Sequence, residues 1–203
     1  MVLRKPDYDV LNVVALKKMA GAEAIAEVCG LAPGEVGGTL ADLAGHGLVV
    51  VAGDAALPTD AAEPALAKAA AEHYAAVRAD PRIEELVTRF DTVNAQFLAA
   101  MSAWQQVDAG GRKVANDHTD SAYDGKVIDR LDRLVGRLGP LIDALSEHDP
   151  RFGGYRRRFD AALAAVEAGR PELVSAPTQD SVHNIWFEFH EDLLRTLGRE
   201  RAE

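Results

Sequence analysis

This 203-residue sequence has a single cysteine, and it has neither a long hydrophobic run nor a segment that resembles a signal peptide. The one cysteine, Cys29, excludes an intramolecular disulfide and a cysteine-rich zinc site, which fits a reducing compartment. The longest apolar runs, such as residues 48–52, fall far short of the ~20 residues that a transmembrane helix needs. Residues 1–8 contain no apolar stretch of the signal-peptide kind. We therefore expect a cytoplasmic protein that has no membrane partner.

Basic residues are also few, with 22 Lys and Arg against 32 Asp and Glu, which gives a net charge of −10. This balance disfavours generic binding to nucleic acid, because phosphates select for clustered Lys and Arg. Enzyme signatures are missing as well: there is no nucleophile elbow, no glycine-rich phosphate loop after a strand and no His-Glu-x-x-His zinc pattern. The composition is that of an ordinary globular protein, and we expect a non-enzymatic protein without a cofactor.

Helical spacing of apolar residues dominates the sequence and predicts a mainly α fold. The β-branched run at residues 48–51, the turn formers Gly53 and Asp54, and a return strand at residues 55–57 predict a short hairpin. The predicted helices cover residues 8–19, 22–29, 33–45, 61–77 and 181–197, with others opening at Asp80-Pro81, Asn116 and Asp149-Pro150, and a kink or new helix at Gly139-Pro140.

Apolar residues and glycines of the N-terminal part follow an ordered pattern. The pattern consists of Ile25-Ala26, Gly30-Leu31, the apolar residues Val36, Leu40 and Leu43, and Gly47-Leu48-Val49. It resembles the helix-turn-helix and wing of winged-helix regulators of the MarR and ArsR type. The resemblance implies a winged helix-turn-helix with a short β-wing over residues 1–60, an α-helical bundle over residues 61–203, and a ligand-responsive transcriptional regulator. The long amphipathic helices of the bundle suit dimerisation, so a homodimer is expected.

The charges of this N-terminal segment depart from those of a DNA reader. No Lys or Arg occurs from Met19 through Ala67, and the exposed positions expected on the third helix include Glu35, Thr39 and Asp42. Two hypotheses follow. In the first, a dimeric regulator contacts phosphates through Lys17 and Lys18 of the first helix, together with neutral contacts. In the second, the acidic face docks on a partner enzyme or regulator and binds no DNA.

The last predicted helix carries the candidate ligand pocket His183, Trp186, Phe187 and His190. The two histidines lie about 10 Å apart along a helix axis, too far to chelate one ion. They form either the wall of a ligand pocket or the edge of the core. On the same helix, Glu188, Glu191 and Asp192 are predicted to face solvent.

A second set of candidate ligand contacts lies in the arginine run at residues 156–158. Arg156 and Arg157 would either grip an anionic ligand or pair with acids of an adjoining helix. The whole run, with Arg151 before it, is expected to point outward.

The polar segment at residues 116–124 is the candidate metal site. If a helix begins at Asp117, then Asp117, Asp120 and Asp124 share one face, with His118 beside them. Three carboxylates of this kind would suit a hard cation such as Mg²⁺ or Mn²⁺, which gives a third hypothesis, a metal- or ligand-binding helical protein with a catalytic role. The alternative is a helix N-terminus in which these side chains cap free N–H groups.

Overall fold

The computed structural model describes residues 3–200, and it is mainly helical. Helices hold 71% of the residues and strands 8%, so the predicted mainly α class is confirmed. Across these residues, no helix is both long enough and apolar enough to cross a bilayer.

The elements follow one another along the chain in this order. They are α1 Lys5–Lys17, β1 Ala20–Gly21, α2 Ala22–Cys29, α3 Pro33–Gly45, β2 Val49–Ala52, β3 Ala55–Pro58, α4 Ala62–His73, α5 Ala75–Ala79, α6 Pro81–Gln105, β4 Gln106–Asp108, β5 Lys113–Ala115, α7 Ser121–Gly136, α8 Gly139–His148, α9 Gly153–Glu167 and α10 Val182–Leu197. Two 3-10 helices, Pro150–Phe152 and Pro171–Val174, connect the later ones.

The chain divides into two compact units. Unit 1 contains Met1–Asp80, His148–Gly154 and Trp186–Glu203, and unit 2 contains Pro81–Glu147 and Tyr155–Ile185. The predicted boundary at residue 60 therefore does not coincide with this division. The reason is that α4 contacts α1, and its apolar face, including Leu66 and Ala70, is fully buried there instead of in a separate bundle.

Unit 1 contains a three-stranded antiparallel sheet of order β1-β3-β2. The β2–β3 hairpin pairs Val49 with Pro58 and Ala52 with Ala55, and its turn contains Gly53 in the left-handed region with φ +61°. The predicted hairpin is thus present. Strand β1 was not predicted, because two residues are too few to show an alternating pattern.

Helices α1, α2 and α3 contact one another in unit 1. Val14 of α1, Ile25 of α2 and Val36 of α3 are all fully buried. Gly30 ends α2 with φ +68°, a conformation that costs glycine little. Pro33 opens α3, and the Glu35 carboxylate accepts the Ala32 N–H at 3.0 Å, which satisfies one of the free donors at the helix start.

Unit 2 is built on the long helix α6, which contacts α7. Its core includes the buried aromatic side chains Phe90, Phe97 and Trp104. The predicted interruption near Gly139 is present, since α7 ends at Gly136 and α8 begins at Gly139. The β4–β5 hairpin was missed: Gly110-Gly111 reads as a simple break, although both glycines have positive φ and sit at the turn.

Candidate functional site

Unit 1 presents an outer surface formed by α3 and the β2–β3 hairpin, called here the α3–hairpin face. Glu35 and Asp42 are exposed on α3 and Thr39 is half-buried. Their spacing places all three along one stripe of the helix, on the flank opposite Gly37 and Ala41. Since α3 and the hairpin contain no Lys or Arg, this face is negatively charged.

A groove of about 860 Å³ lies between the start of α2, α3 and the hairpin. Glu23 of α2 and Asp54 of the hairpin turn line it, together with Gly37 and Leu40 of α3. None of its lining residues is a cation. The groove therefore suits a cationic or neutral occupant.

Besides the exposed Gly45 at its end, helix α3 contains three exposed glycines, Gly34, Gly37 and Gly38. A Cβ atom added at each would meet no other atom within 4 Å, and none of the three has a positive φ. A glycine inside a helix is less favourable than alanine by about 0.8–1.0 kcal/mol. Neither space nor backbone geometry within residues 3–200 explains these three glycines, which leave the backbone of α3 close to solvent.

The hairpin has exposed apolar side chains on both of its sides. Val51 lines the groove and is 50% exposed. Val50, 56% exposed, and its cross-strand partner Leu57, 36% exposed, lie on the opposite side of the hairpin. An acidic face that also contains apolar residues has the composition of an interaction surface more than that of a plain solvated surface.

The two lysines predicted to contact DNA differ in their exposure to solvent. Lys17 Nζ donates to Glu188 Oε1 at 3.0 Å, and both side chains are largely buried. Lys18 is exposed and ends α1 with φ +63°. Lys17 is thus part of an internal ion pair, and the predicted solvated position of Glu188 is wrong because Lys17 compensates its charge.

The predicted solvent exposure is also wrong for Asp192, which is fully buried. Arg151 donates to both of its carboxylate oxygens, and Asn12 Nδ2 donates to Oδ1 at 2.9 Å. Arg151 also donates to Tyr74 Oη and Asp149 Oδ2, each at 2.9 Å. The expected outward orientation is therefore wrong for Arg151, which bonds buried carboxylates of two chain segments.

Burial shifts the pKa values of several side chains in unit 1, some of them close to Arg151 and Asp192. It raises the pKa of Tyr8, whose hydroxyl has no hydrogen-bond partner among the described residues. Burial opposes ionisation of Asp149 too, but Arg151 and Lys5 outweigh it and hold the pKa of that carboxyl below its usual value. Burial raises the pKa of the Cys29 thiol to about 12, so Cys29 has no thiolate character at neutral pH.

The predicted pocket residues of α10 are distributed between the units, His183 in unit 2 and the other three in unit 1. Trp186 is buried, Phe187 is 41% exposed and His190 is half-buried. Burial lowers the pKa of His183. This pattern fits the core-edge alternative for His183 and His190.

The predicted arginine contacts of unit 2 lie at its surface. Arg156, whose side chain is about half exposed, pairs with Asp143 of α8 at 2.7 Å. Arg158 pairs with Asp180 at 2.6 Å, and its side chain is only 10% exposed, so the expected outward orientation is wrong for Arg158. Arg157 is exposed. Of the two alternatives, pairing with an acid of an adjoining helix is therefore the one that Arg156 shows.

The four predicted metal ligands do not share a helix face, because α7 begins at Ser121. Asp120 caps that helix by accepting the N–H groups of Ala122 and Tyr123. Asp117 accepts two hydrogen bonds from Thr119, which lower its pKa.

The other two predicted ligands do contact each other, with His118 Nδ1 lying 2.9 Å from Asp124 Oδ2. Asn116 donates to the second oxygen of Asp124 at 2.8 Å. Between residues 3 and 200, no three His, Cys, Asp or Glu side chains are grouped to hold a metal ion. The capping alternative thus accounts for Asp120.

Sequence reasoning placed Arg151 and Asp192 at the surface, and it missed Asn12 as a partner of Asp192. The available signal was Asn12, a polar residue within the apolar sequence of α1, since a buried amide requires a polar partner. Comparison with known proteins adds no assignment: no protein-family model, curated protein or solved structure matches this chain.

Proposed function

We propose that unit 1 is a winged-helix module that docks a basic protein partner through its α3–hairpin face and does not bind DNA. The fold part of this proposal is supported by the element order α1-β1-α2-α3-β2-β3 and by the antiparallel hairpin that follows α3. It is also supported by the match between the buried residues Ile25, Val36 and Leu43 and the pattern expected of a helix-turn-helix.

The observation that carries the proposal is the charge of the α3–hairpin face. A DNA-reading helix needs donors for base edges and cations for phosphates. Here the exposed charges of α3 are the carboxylates Glu35 and Asp42. Each would face a phosphate backbone of the same sign, and the ion pair with Glu188 occupies Lys17. A partner with a basic surface has the complementary charge.

The partner is expected to approach α3 closely. Gly37 lines the groove and Gly38 is exposed beside it, so a bound backbone would meet no side chain at these two positions. Val51 of the hairpin lines the same groove and is 50% exposed, so it supplies apolar area there. The carboxylates of Glu23 and Asp54 line the groove as well, and apolar and polar contacts together are usual at a protein–protein interface.

Charge reversal on the face tests the proposal. Asp42→Lys combined with Glu23→Lys reverses two exposed acids, while Glu35 is kept because it caps α3. The matched control, Asp129→Lys with Asp132→Lys, makes the same change in net charge on the exposed side of α7.

The assay is affinity capture from the source cell with quantitative mass spectrometry, repeated at rising salt. We expect a basic protein that wild type and the control retain, that the face variant loses, and that salt releases. The proposal is wrong if no protein follows this pattern. It is also wrong if wild type binds random or genomic duplex DNA at physiological salt in an anisotropy titration.

The second candidate function is a ligand-responsive transcriptional regulator, which the exposed Lys18 at the end of α1 favours. In a homodimer, two copies of Lys18 would supply the phosphate contacts. This candidate requires a dimer by light scattering and DNA binding that Lys18→Ala weakens, whereas the docking proposal requires neither.

A further inference from the structure

Unit 2 contains a cleft between α6 and the α7–α8 junction that the docking proposal does not use. Its volume is about 390 Å³, within the range of about 300–1,000 Å³ that is usual for small-molecule sites. The buried side chains of Phe90, Val93 and Leu141 form its apolar floor. At its rim lie two exposed guanidinium groups, those of Arg89 and Arg137.

The two rim arginines differ in how their charge is compensated. Arg89 forms an ion pair with Glu85 one turn earlier on α6, and both side chains are about two-thirds exposed. Such an exposed pair contributes little energy and exchanges readily. Arg137 instead donates to the neutral amide oxygen of Gln96 at 2.5 Å, and no carboxylate of residues 3–200 forms an ion pair with it. The cleft therefore has an uncompensated positive charge beside an apolar floor.

We propose that this cleft binds a small amphipathic monocarboxylate, with its apolar body against Phe90, Val93 and Leu141 and its carboxylate on Arg137. A planar guanidinium matches a carboxylate in a two-point hydrogen bond. A strongly hydrated anion such as free phosphate would leave the apolar floor exposed to water, so the floor selects for an acid with a hydrocarbon body. The inference is independent of the docking proposal, because every lining residue belongs to unit 2.

Paired probes separate the two parts of the ligand. Octanoate and phenylacetate carry the acid, whereas 1-octanol and phenylacetamide keep the hydrocarbon body without the charge. In isothermal titration calorimetry we expect each acid to bind about tenfold or more tightly than its neutral counterpart, which corresponds to one charged hydrogen-bond pair. Equal affinities, or no binding of the acids up to their solubility limit, would overturn the proposal.

Three variants locate the binding. Arg137→Ala removes the proposed carboxylate partner and is expected to lower affinity for octanoate by about tenfold or more. Leu86→Phe narrows the cleft from its half-buried lining position and is expected to weaken octanoate and 1-octanol alike. Arg133→Ala removes an exposed arginine of α7 that does not line the cleft and is expected to have no effect.

Each variant is first compared with wild type by circular dichroism, so that a folding defect is not read as lost binding. Arg137 is exposed, and its replacement leaves the buried floor intact. Wild-type affinity in Arg137→Ala, or equal losses in Arg137→Ala and Arg133→Ala, would show that the acid binds elsewhere and would overturn the assignment.

Discussion

Replacing the exposed glycines Gly37 and Gly38 of α3 by alanine is expected to change the stability of the free protein and its binding to a partner in opposite directions. Gly37 and Gly38 lie in the interior of a 13-residue helix, and an added Cβ meets no atom within 4 Å at either position. Each substitution is therefore expected to stabilise the free protein by the difference in helix propensity, about 0.8–1.0 kcal/mol. The double variant Gly37→Ala/Gly38→Ala gains about 1.6–2 kcal/mol on this basis.

The magnitude is large enough to measure in two ways. For a chain of this length, 1 kcal/mol corresponds to about 2–4 °C in melting temperature, so an increase of about 3–8 °C is expected. Urea denaturation followed by circular dichroism should show a higher midpoint with an unchanged m value, because the surface exposed on unfolding changes little. Gly125→Ala in α7 is a matched control, since a Cβ there also meets no atom within 4 Å.

Docking should respond in the opposite direction. The two added methyl groups stand on the α3–hairpin face, so they are expected to weaken capture of the basic partner while they stabilise the free chain. The Gly125→Ala control should stabilise without affecting capture. If the double variant is not stabilised, the reasoning about unused space around α3 is wrong. If it is stabilised and captures the partner as well as wild type does, the glycines have no part in docking.

Three further predictions concern unit 1. Asp192→Ala leaves Arg151 without its main buried partner and should destabilise the protein by about 3–5 kcal/mol in urea denaturation, whereas replacing both by apolar residues should cost less than the sum of the single changes. The pKa of Asp149 is lower in the folded state than in the unfolded state, so its ionised form contributes stability above an unfolded pKa of about 3.9, and that contribution disappears as the pH falls through the folded pKa. The free-energy difference between wild type and Asp149→Asn should therefore shrink over that acid range, and a difference independent of pH would contradict the assignment. Cys29, with its pKa raised to about 12, should react with a thiol reagent at neutral pH much more slowly in the native protein than in urea, and equal rates would show that burial does not protect it.

The sequence predicted element boundaries well where a single glycine or proline restricts the backbone conformation. Gly30, Pro33 and the Gly53-Asp54 turn each restrict the chain in a way that sequence shows directly. The break at Tyr74 between α4 and α5 was not predicted, since the segment is alanine-rich and has no glycine or proline near that residue. There the Tyr74 hydroxyl donates to Asp149 at 2.8 Å, a contact across 75 residues that periodicity does not contain.

The candidate site was predictable in its charge but not in its internal partners. The absence of Lys and Arg from α3 and the hairpin is a property of consecutive residues, so the sequence shows it directly and folding does not change it. The burial of Asp192 depends on Arg151 and Asn12, which are distant in sequence. A helical wheel places Asp192 about 20° from Ile185, at the margin of the apolar stripe of α10, and the three-dimensional fold shows that this margin is fully buried.

These internal pairs change what the net charge of −10 means for the surface of unit 1. Lys17, Arg151 and Arg195 are among its basic residues, and their side chains are only 15%, 13% and 9% exposed. Their charges are directed to Glu188, Asp192 and Glu63, so they add little positive potential outside the protein. Asp42 of α3 lies close enough to the exposed Arg4 to interact with it electrostatically, but no Lys or Arg lines the groove that contains Glu23 and Asp54. The negative potential of the groove is therefore not offset by the buried cations of unit 1, which strengthens the case for a basic protein partner over DNA.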